Sequence, residues 1–454
     1  MDRLLLLRQG ATQVAAGQIA LAEQTYHAIL AKAPDDLETL SNLGAVLALG
    51  EQHAAAERAC RAALRVDPGY GAAWSNLGLA LHGQQRHDEA IDAYCTALRI
   101  NAGDVNACSN LGVALSEQWR MAESLYIHDL AVKLAPDNAE VRTNRAIALL
   151  SAGDLAQGFA EFEWRWHTPS MQPHGIAGAL WQGEALRGRT ILVHDEGGFG
   201  DTLQFVRYVP QLLALGAQVI LRVQGPLARL LRRSLPGAQV LTLVDALPQY
   251  DWHCPMVSLA HRLGTTLDTI PGQTPYLVPD AAAVADWHRR LEALRPGLKI
   301  GLVWAGAARP GTPMVDAMDR RRSMRLAALA PLARVPGVQF ISLQLDGSAE
   351  AAAAPCGMTL FDPMPAMTDF DDTAAVVANL DLVIAVDTAV AHLAGGLGRP
   401  VWLLSRYDAC WRWLAGRQDS PWYPGLRFYR QPKPGDWDSV IAAVAGELEG
   451  MAAI

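Results

Sequence analysis

The chain holds 454 residues, 51% of them hydrophobic and 19% charged, with 38 basic against 46 acidic side chains and a net charge of -8. That length exceeds what one hydrophobic core serves and implies about three domains. The acidic balance argues against a general nucleic-acid or anionic-membrane binder. The longest apolar region, Leu380 to Leu404, is interrupted by Asp381, Asp387, His392 and Arg399, so no membrane span is expected. Leu4 to Leu7 is too short for the apolar centre of a signal peptide. Six scattered cysteines (Cys60, Cys95, Cys108, Cys254, Cys356 and Cys410) form no C-x-x-C pair, and no His/Cys set stands at zinc spacing. A cytoplasmic protein with reduced thiols and no bound metal is expected.

The first third repeats itself. Ser41-Asn-Leu-Gly44, Ser75-Asn-Leu-Gly78 and Ser109-Asn-Leu-Gly112 recur every 34 residues, and Asn144 keeps the register. Pro34, Pro68 and Pro136 follow the same ruler, with Ala102 in the missing place, where one helix must stop before the next begins. Gly44, Gly78 and Gly112 permit close helix contact with Ala-rich second helices. This pattern resembles the tetratricopeptide family, whose period is 34 residues, with about four to five repeats over residues 1–167. The resemblance implies a solenoid with a concave face for a protein or peptide partner. Asn42, Asn76, Asn110 and Asn144 form a ladder at equivalent positions. Two readings stand: hydrogen bonds to a peptide backbone, or hydrogen bonds within each repeat. The aromatic cluster Phe159, Phe162, Trp164 and Trp166 is expected to cap the apolar end of the repeats.

Residues 168–188, with Pro169 and Pro173, have the composition of a connector. Strand and helix patterns then alternate: strand Thr190 to Val193, a helix from Asp201 that Pro210 should kink or end, and strand Gln218 to Val223. Helix Pro226 to Leu235, strand Gln239 to Val244 and an apolar segment near Asp251 to Pro255 complete a first α/β domain, 168–285. Past the proline-rich crossing Pro271 to Pro279, a second α/β domain is expected over 286–454. Its strands are Lys299 to Trp304, Val338 to Leu343, a short one near Met358 to Phe361, Leu382 to Val386 and Val401 to Leu404. Its helices are Leu326 to Val335, Thr373 to Leu380, one from Ala389, and Asp436 to Met451. Ala307 to Asp319 reads as a long loop. Two α/β halves of similar size imply a cleft onto which the carboxyl ends of both sheets open.

Two strand-to-helix turns carry the candidate chemistry. In His194-Asp-Glu-Gly-Gly-Phe-Gly-Asp201, Gly197, Gly198 and Gly200 allow a sharp turn and close approach of a ligand. Asp201 at the helix start either caps free backbone N–H groups or presents a carboxylate at the end of a parallel strand. In Asp387-Thr-Ala-Val-Ala-His392 the helix start suits a diphosphate, with the Thr388 hydroxyl beside it. The alternative there is a plain helix cap with His392 as a core histidine.

Together, Glu196-Gly-Gly-Phe-Gly-Asp-Thr-Leu-Gln-Phe205 and Asp387-Thr-Ala-Val-Ala-His-Leu-Ala394 resemble the two signature stretches of the heptosyltransferase-like glycosyltransferases of family 9. Phe162-Glu-Trp-Arg-Trp166, Gly301-Leu-Val-Trp-Ala-Gly306 and Asp419-Ser-Pro-Trp-Tyr-Pro424 resemble bacterial proteins that fuse tetratricopeptide repeats to such a module. The architecture is similar in outline to O-linked N-acetylglucosamine transferases, where repeats choose a protein acceptor. The resemblance implies a GT-B fold, two Rossmann-like domains facing a cleft. It also implies an inverting, metal-independent transfer from a nucleotide-sugar donor held by the C-terminal half.

On that resemblance Asp201 is the general base, with Glu196, Gly198, Gly200 and Gln204 on the acceptor side. Asp387, Thr388, Ala389 and His392 make the phosphate turn, and Arg322, Ser323 and Gln344 reach the donor. Arg320 and Arg321 are further cations beside it. Relatives carry glycine where Ala389 stands. Two readings stand for the Trp411-Arg-Trp413 and Trp422-Tyr423 segments, stacking on a sugar or base and core packing, and packing is favoured because large aromatics mostly serve cores. A rival reading is a non-catalytic adaptor, in which the repeats bind a partner and the transferase-like half has lost its chemistry.

Overall fold

The computed structural model describes residues 2–169, 171, 175–306 and 313–453, with the side chains of 313–315 excepted. Pro173 of the expected connector and residues 307–312 of the expected long loop lie outside these. The chain forms two compact units, Met1–Ala152 with Glu161–Met171, and Gly153–Ala160 with Gln172–Ile454.

In the first unit, helices run as α1 (Arg3–Ala15), α2 (Ile19–Leu30), α3 (Leu37–Leu49), α4 (His53–Val66) and α5 (Gly71–Gly83). They continue as α6 (His87–Ile100), α7 (Val105–Glu117), α8 (Met121–Leu134) and α9 (Ala139–Ala152). α10 (Leu155–Phe162) follows, with its residues up to Ala160 grouped in the second unit. The 34-residue ruler has a packing cause. A Cβ on Gly78 would lie 2.5 Å from the Tyr94 ring, and one on Gly112 would lie 2.6 Å from the His128 ring. Gly44 meets Cys60 in the same way, and Gly10, one period earlier, meets Tyr26. Each first helix thus touches the side chain 16 residues later in its own pair, and only glycine leaves it room. Asp36 and Asp104 cap α3 and α7 by accepting the N–H of Thr39 and Ala107.

Two members of the asparagine ladder, Asn76 and Asn144, bond to the preceding repeat. Asn76 Nδ2 donates to the Ser41 carbonyl and hydroxyl, each at 3.0 Å, and Asn144 Nδ2 donates to Ser109 Oγ at 3.0 Å. First helices of successive repeats stack side by side, so the serine of the preceding repeat is the nearer partner.

The second unit contains two sheets. The first comprises β1 (Ala179–Leu180), β2 (Thr190–His194), β3 (Gln218–Val223), β4 (Ala238–Thr242) and β5 (Trp252–Pro255). Its helices are α11 (Phe199–Phe205), α12 (Val209–Ala214), α13 (Ala228–Ser234) and α14 (Ser258–Arg262). As expected of Pro210, the helix from the glycine turn breaks: α11 stops, a 3-10 turn spans Val206–Tyr208, and α12 restarts with proline in its first turn.

The second sheet follows α15 (Ala281–Glu292). It comprises β6 (Leu298–Val303), β7 (Val338–Ser342), β8 (Leu360–Phe361), β9 (Leu382–Val386), β10 (Val401–Ser405) and β11 (Leu426–Arg430). Around it lie α16 (Pro313–Arg322), α17 (Ser348–Ala352), α18 (Phe370–Val377), α19 (Ala389–Gly396) and α20 (Trp437–Ala452). Three expectations change. Much of the expected Ala307 to Asp319 loop is α16. The Leu326 to Val335 helix is 3-10 over Leu326–Arg334, because Pro331 inside it cannot donate an α-helical bond. β11 was not expected, since Arg427 and Arg430 interrupt its apolar pattern.

Both sheets are parallel among the described strands, with orders β1-β5-β2-β3-β4 and β11-β10-β9-β6-β7-β8. β9 is buried along its whole length, as a central parallel strand covered on both faces must be. The core of the second half joins Ile300, Leu302, Ile384 and Val386 to Val440, Ile441, Val444 and Leu448 of α20. Each such side chain contributes about 2 kcal/mol.

The strand orders locate the chemistry. In the first sheet the chain steps β2 to β3 to β4 in one direction and then returns to β5 on the other side of β2. In the second it steps β6 to β7 to β8 and returns to β9 on the other side of β6. Order therefore reverses beside β2 and between β6 and β9. At such switch points, beyond the carboxyl ends of the strands, open α/β sheets hold their ligands. The residues there are the glycine turn after β2 and the Asp387 turn after β9.

Candidate active site

The turn after β2 is held from inside. Glu196 Oε1 accepts the Val257 N–H at 2.6 Å, tying this turn to the one after β5. Asp201 Oδ2 accepts the Gly198 N–H at 3.0 Å, and any Cβ on Gly197 would collide with that carboxylate. Gln224 braces the turn by donating to the Gly197 carbonyl at 3.0 Å and accepting from Thr202 Oγ1 at 2.9 Å. The Asp201 side chain remains 27% exposed, and its other oxygen is ion-paired with Arg412.

The turn after β9 is held from outside. Arg322 Nη1 donates to the Asp387 carbonyl at 2.8 Å, and the same guanidinium is ion-paired with Asp319. Ser323 Oγ accepts the Gly306 N–H at 2.9 Å. Gln344 Oε1 accepts the N–H groups of Trp304 and Ala305 at 3.1 and 2.8 Å, and its Nε2 donates to the Leu345 carbonyl at 3.2 Å. Arg322, Ser323 and Gln344 thus converge on the ends of β6, β7 and β9, where each is bonded to protein groups. Thr388 precedes α19 in extended conformation and makes no side-chain cap bond. Its hydroxyl oxygen is buried without a hydrogen-bond partner among the described residues. The first amides of α19, at Ala389 and Val390, have no partner within the helix by helix geometry.

The structure brings the two turns together, with α11 packed against α19. A Cβ on Gly200 would lie 2.9 Å from His392 Cδ2 and 3.7 Å from the Ala389 Cα. His392 is 4% exposed; its Nδ1 meets the Tyr423 hydroxyl at 2.9 Å and its ring stacks on Trp413 at 5.1 Å. Burial pushes its pKa down to about 4, so near neutral pH it is an uncharged ring and supplies no cation. One helical turn after Gly200, Gln204 is fully buried, and neither atom of its amide has a partner among the described residues. Asp201, Gly200, Ala389 and His392 form one locus; the asparagines of the repeats belong to the other compact unit.

Two arginines escaped the sequence reading. Arg412 lies on the 3-10 turn Trp411–Trp413, its guanidinium 4.3 Å from the Trp411 ring centroid and its Nη1 3.2 Å from Cys410 Sγ. A cation between two tryptophans that are themselves buried needs a carboxylate partner, and that requirement was the available signal for Asp201. Arg207 is buried. It donates to the carbonyls of Gln204 and Trp422, each at 2.7 Å, and to the Tyr276 hydroxyl at 3.0 Å, with the Tyr276 and Tyr423 rings 4.6 and 4.7 Å away. It joins α11 to the Trp422-Tyr423 segment. Farther along the same seam Phe199 packs on Phe370 at 5.1 Å, and Arg229 and Arg233 of α13 meet Asp369, Asp371 and Asp372 around the start of α18.

Against known families, the tetratricopeptide repeat model matches residues 7–70 and 49–105. The helical unit is a stack of tetratricopeptide repeats. Protein FlbA of Caulobacter vibrioides is 29% identical over 331 residues, which cover 67% of this chain and 54% of that protein. The chain thus spans about half the length of that curated relative. Among solved structures, the tetratricopeptide protein TTC0263 of Thermus thermophilus is 19% identical over 37% of this chain and 92% of its own, with a TM-score of 0.35. PilF of Pseudomonas aeruginosa is 18% identical over 36% of this chain and 75% of its own, with a TM-score of 0.32. These partial matches sit beside a tetratricopeptide stack followed by two parallel, Rossmann-like α/β sheets. No helix among the described residues is long and apolar enough to cross a membrane.

Proposed function

We propose that the chain is a nucleotide-sugar-dependent glycosyltransferase of the GT-B type, with repeats over 1–167 that recruit a protein or peptide acceptor. In this reading 168–285 is the acceptor half and 286–454 the donor half. The observation that carries it is the convergence of Asp201, Arg412 and the open start of α19 at the switch points of two parallel sheets.

The donor diphosphate lies on the amides of Ala389 and Val390 with the Thr388 hydroxyl beside it. A helix start offers unpaired N–H groups and a positive dipole end there. Arg412, a fixed cation in reach of Asp201, offsets the charge that develops as the diphosphate leaves. An acceptor hydroxyl gives its proton to the Asp201 carboxylate while its oxygen bonds to the anomeric carbon. The bond from that carbon to the phosphate oxygen breaks on the opposite face, and a nucleoside diphosphate departs with inversion.

Calorimetric titration with UDP, GDP, ADP and CDP, followed by a panel of the corresponding nucleotide sugars, tests the reading. One diphosphate should bind saturably, and Asp201→Asn should lower transfer by about 100-fold or more while nucleotide affinity stays within about threefold. Failure of every nucleotide to bind would sink it. The adaptor reading is favoured by one observation: Asp201, Arg322, Ser323 and Gln344 are all engaged by protein groups. On that reading no nucleotide binds, and changes in the repeats alone abolish partner capture.

A further inference from the structure

The repeats bring together three side chains that no spacing rule joins. His82 lies in the last turn of α5, His87 opens α6, and Glu117 closes α7. One ligand atom from each falls within 4.8 Å of the other two. Glu117 Oε2 is 2.5 Å from His82 Nε2 and 3.6 Å from His87 Nδ1, and the two rings meet edge to face at 5.5 Å. His87 is 6% exposed, and the other two side chains are mostly covered, at 19% for His82 and 18% for Glu117.

We propose that His82, His87 and Glu117 form a binding site for a divalent transition ion of the zinc class. Two imidazole nitrogens and one carboxylate oxygen are a donor set that such ions favour, and three protein ligands leave a coordination position for water or an outside group. Bonds of about 2.0–2.2 Å place tetrahedral ligand atoms about 3.3 Å apart, so the Glu117 to His82 contact opens by under about 1 Å and the Glu117 to His87 contact closes slightly. The setting suits a cation. α5 and α7 both end here, so two negative helix ends face the site against one positive start, that of α6. The neighbouring cation, Arg86, is occupied by Glu57 and Glu89. The ligands come from two successive repeats, so an ion clips α7 to the α5/α6 pair. This inference stands apart from the transferase reading, because it uses no residue of the second unit.

The full chain, stripped with chelator, is titrated with Co2+ and followed by visible absorption and calorimetry, then competed with Zn2+. One equivalent should bind, with a ligand-field band of imidazole and carboxylate coordination and no thiolate charge-transfer band, which separates this site from the exposed cysteines Cys95 and Cys356. His87→Ala and Glu117→Gln should each weaken binding by about 100-fold, a ligand loss being at least as costly as loss of an outer-shell partner. The pair of exposed His27 and half-buried Glu23, 3.9 Å apart, belongs to no three-ligand cluster among the described residues, so His27→Ala should change nothing. Absence of a saturable Co2+ spectrum in the unaltered chain would overturn the site whatever the variants do. Full binding in a folded His82→Ala, His87→Ala double variant would overturn it equally.

Discussion

The turns after β2 and β9 do the same local job, bringing a parallel strand into a helix, but they end their helices in opposite ways. The first turns a carboxylate of its own helix back onto the residue before it, since Asp201 accepts the Gly198 N–H. The second has a threonine before the helix whose hydroxyl makes no cap bond. The first helix start thus carries a fixed negative charge, whereas the second carries no carboxylate and keeps its donors for an acceptor from outside. The pair is therefore complementary: one turn offers a base, the other an anion seat, and Arg412 stands at the charged one.

The largest effect should come from breaking the contact between the turns. Gly200→Val places a branched side chain where even a Cβ would be 2.9 Å from His392. Overpacking of this kind costs about 2–3 kcal/mol, read as a lowered urea midpoint with unchanged slope. Gly200→Ala should show roughly half of that loss on the same scale. A wild-type midpoint for Gly200→Val would mean that α11 and α19 do not meet as described.

A smaller loss should follow from stripping the charge of the closed turn. Arg412→Ala leaves Asp201 without its cation, and the Arg412 side chain is 16% exposed, so the pair is screened by little water. A loss of about 2 kcal/mol is expected. Since Asp201→Ala removes the same interaction, the double variant should lose about 1–2 kcal/mol less than the sum of the two single changes. Additive losses would show that the two side chains are not coupled, and Arg412 would drop out of the proposed chemistry.

How much of this could be read from residues alone follows from the distances in sequence involved. The repeats were legible because Gly44, Gly78 and Gly112 each answer a partner 16 residues away, so the cause of the pattern sits inside one period. The two turns were legible as turns, because β2 and α11 are adjacent in sequence, as are β9 and α19. The partners were not. Arg412 lies 211 residues from Asp201, and Gln344 serves the backbone at Trp304 and Ala305 across two different strands. Pattern along the chain reports which face is apolar; it carries no record of which loop a sheet order brings opposite. The asparagine ladder shows the same limit at shorter range, because its recurrence was plain while its bond to the preceding repeat's serine was not.

The smallest expected change in stability is the one that separates the turns most sharply. Thr388→Val keeps the shape of the side chain and removes a hydroxyl oxygen that is buried with no partner among the described residues. Removing a buried polar group that makes no bond should not lower the unfolding free energy and should raise it by about 1 kcal/mol. The same change should weaken nucleoside diphosphate binding about 10-fold or more, the scale of one hydrogen bond to a charged group. At the closed turn the two readouts cannot come apart in this way, since Asp201 is bonded in the free protein. A stability loss above about 1 kcal/mol for Thr388→Val would mean that the hydroxyl holds a bond of its own, and the second turn would then be as closed as the first.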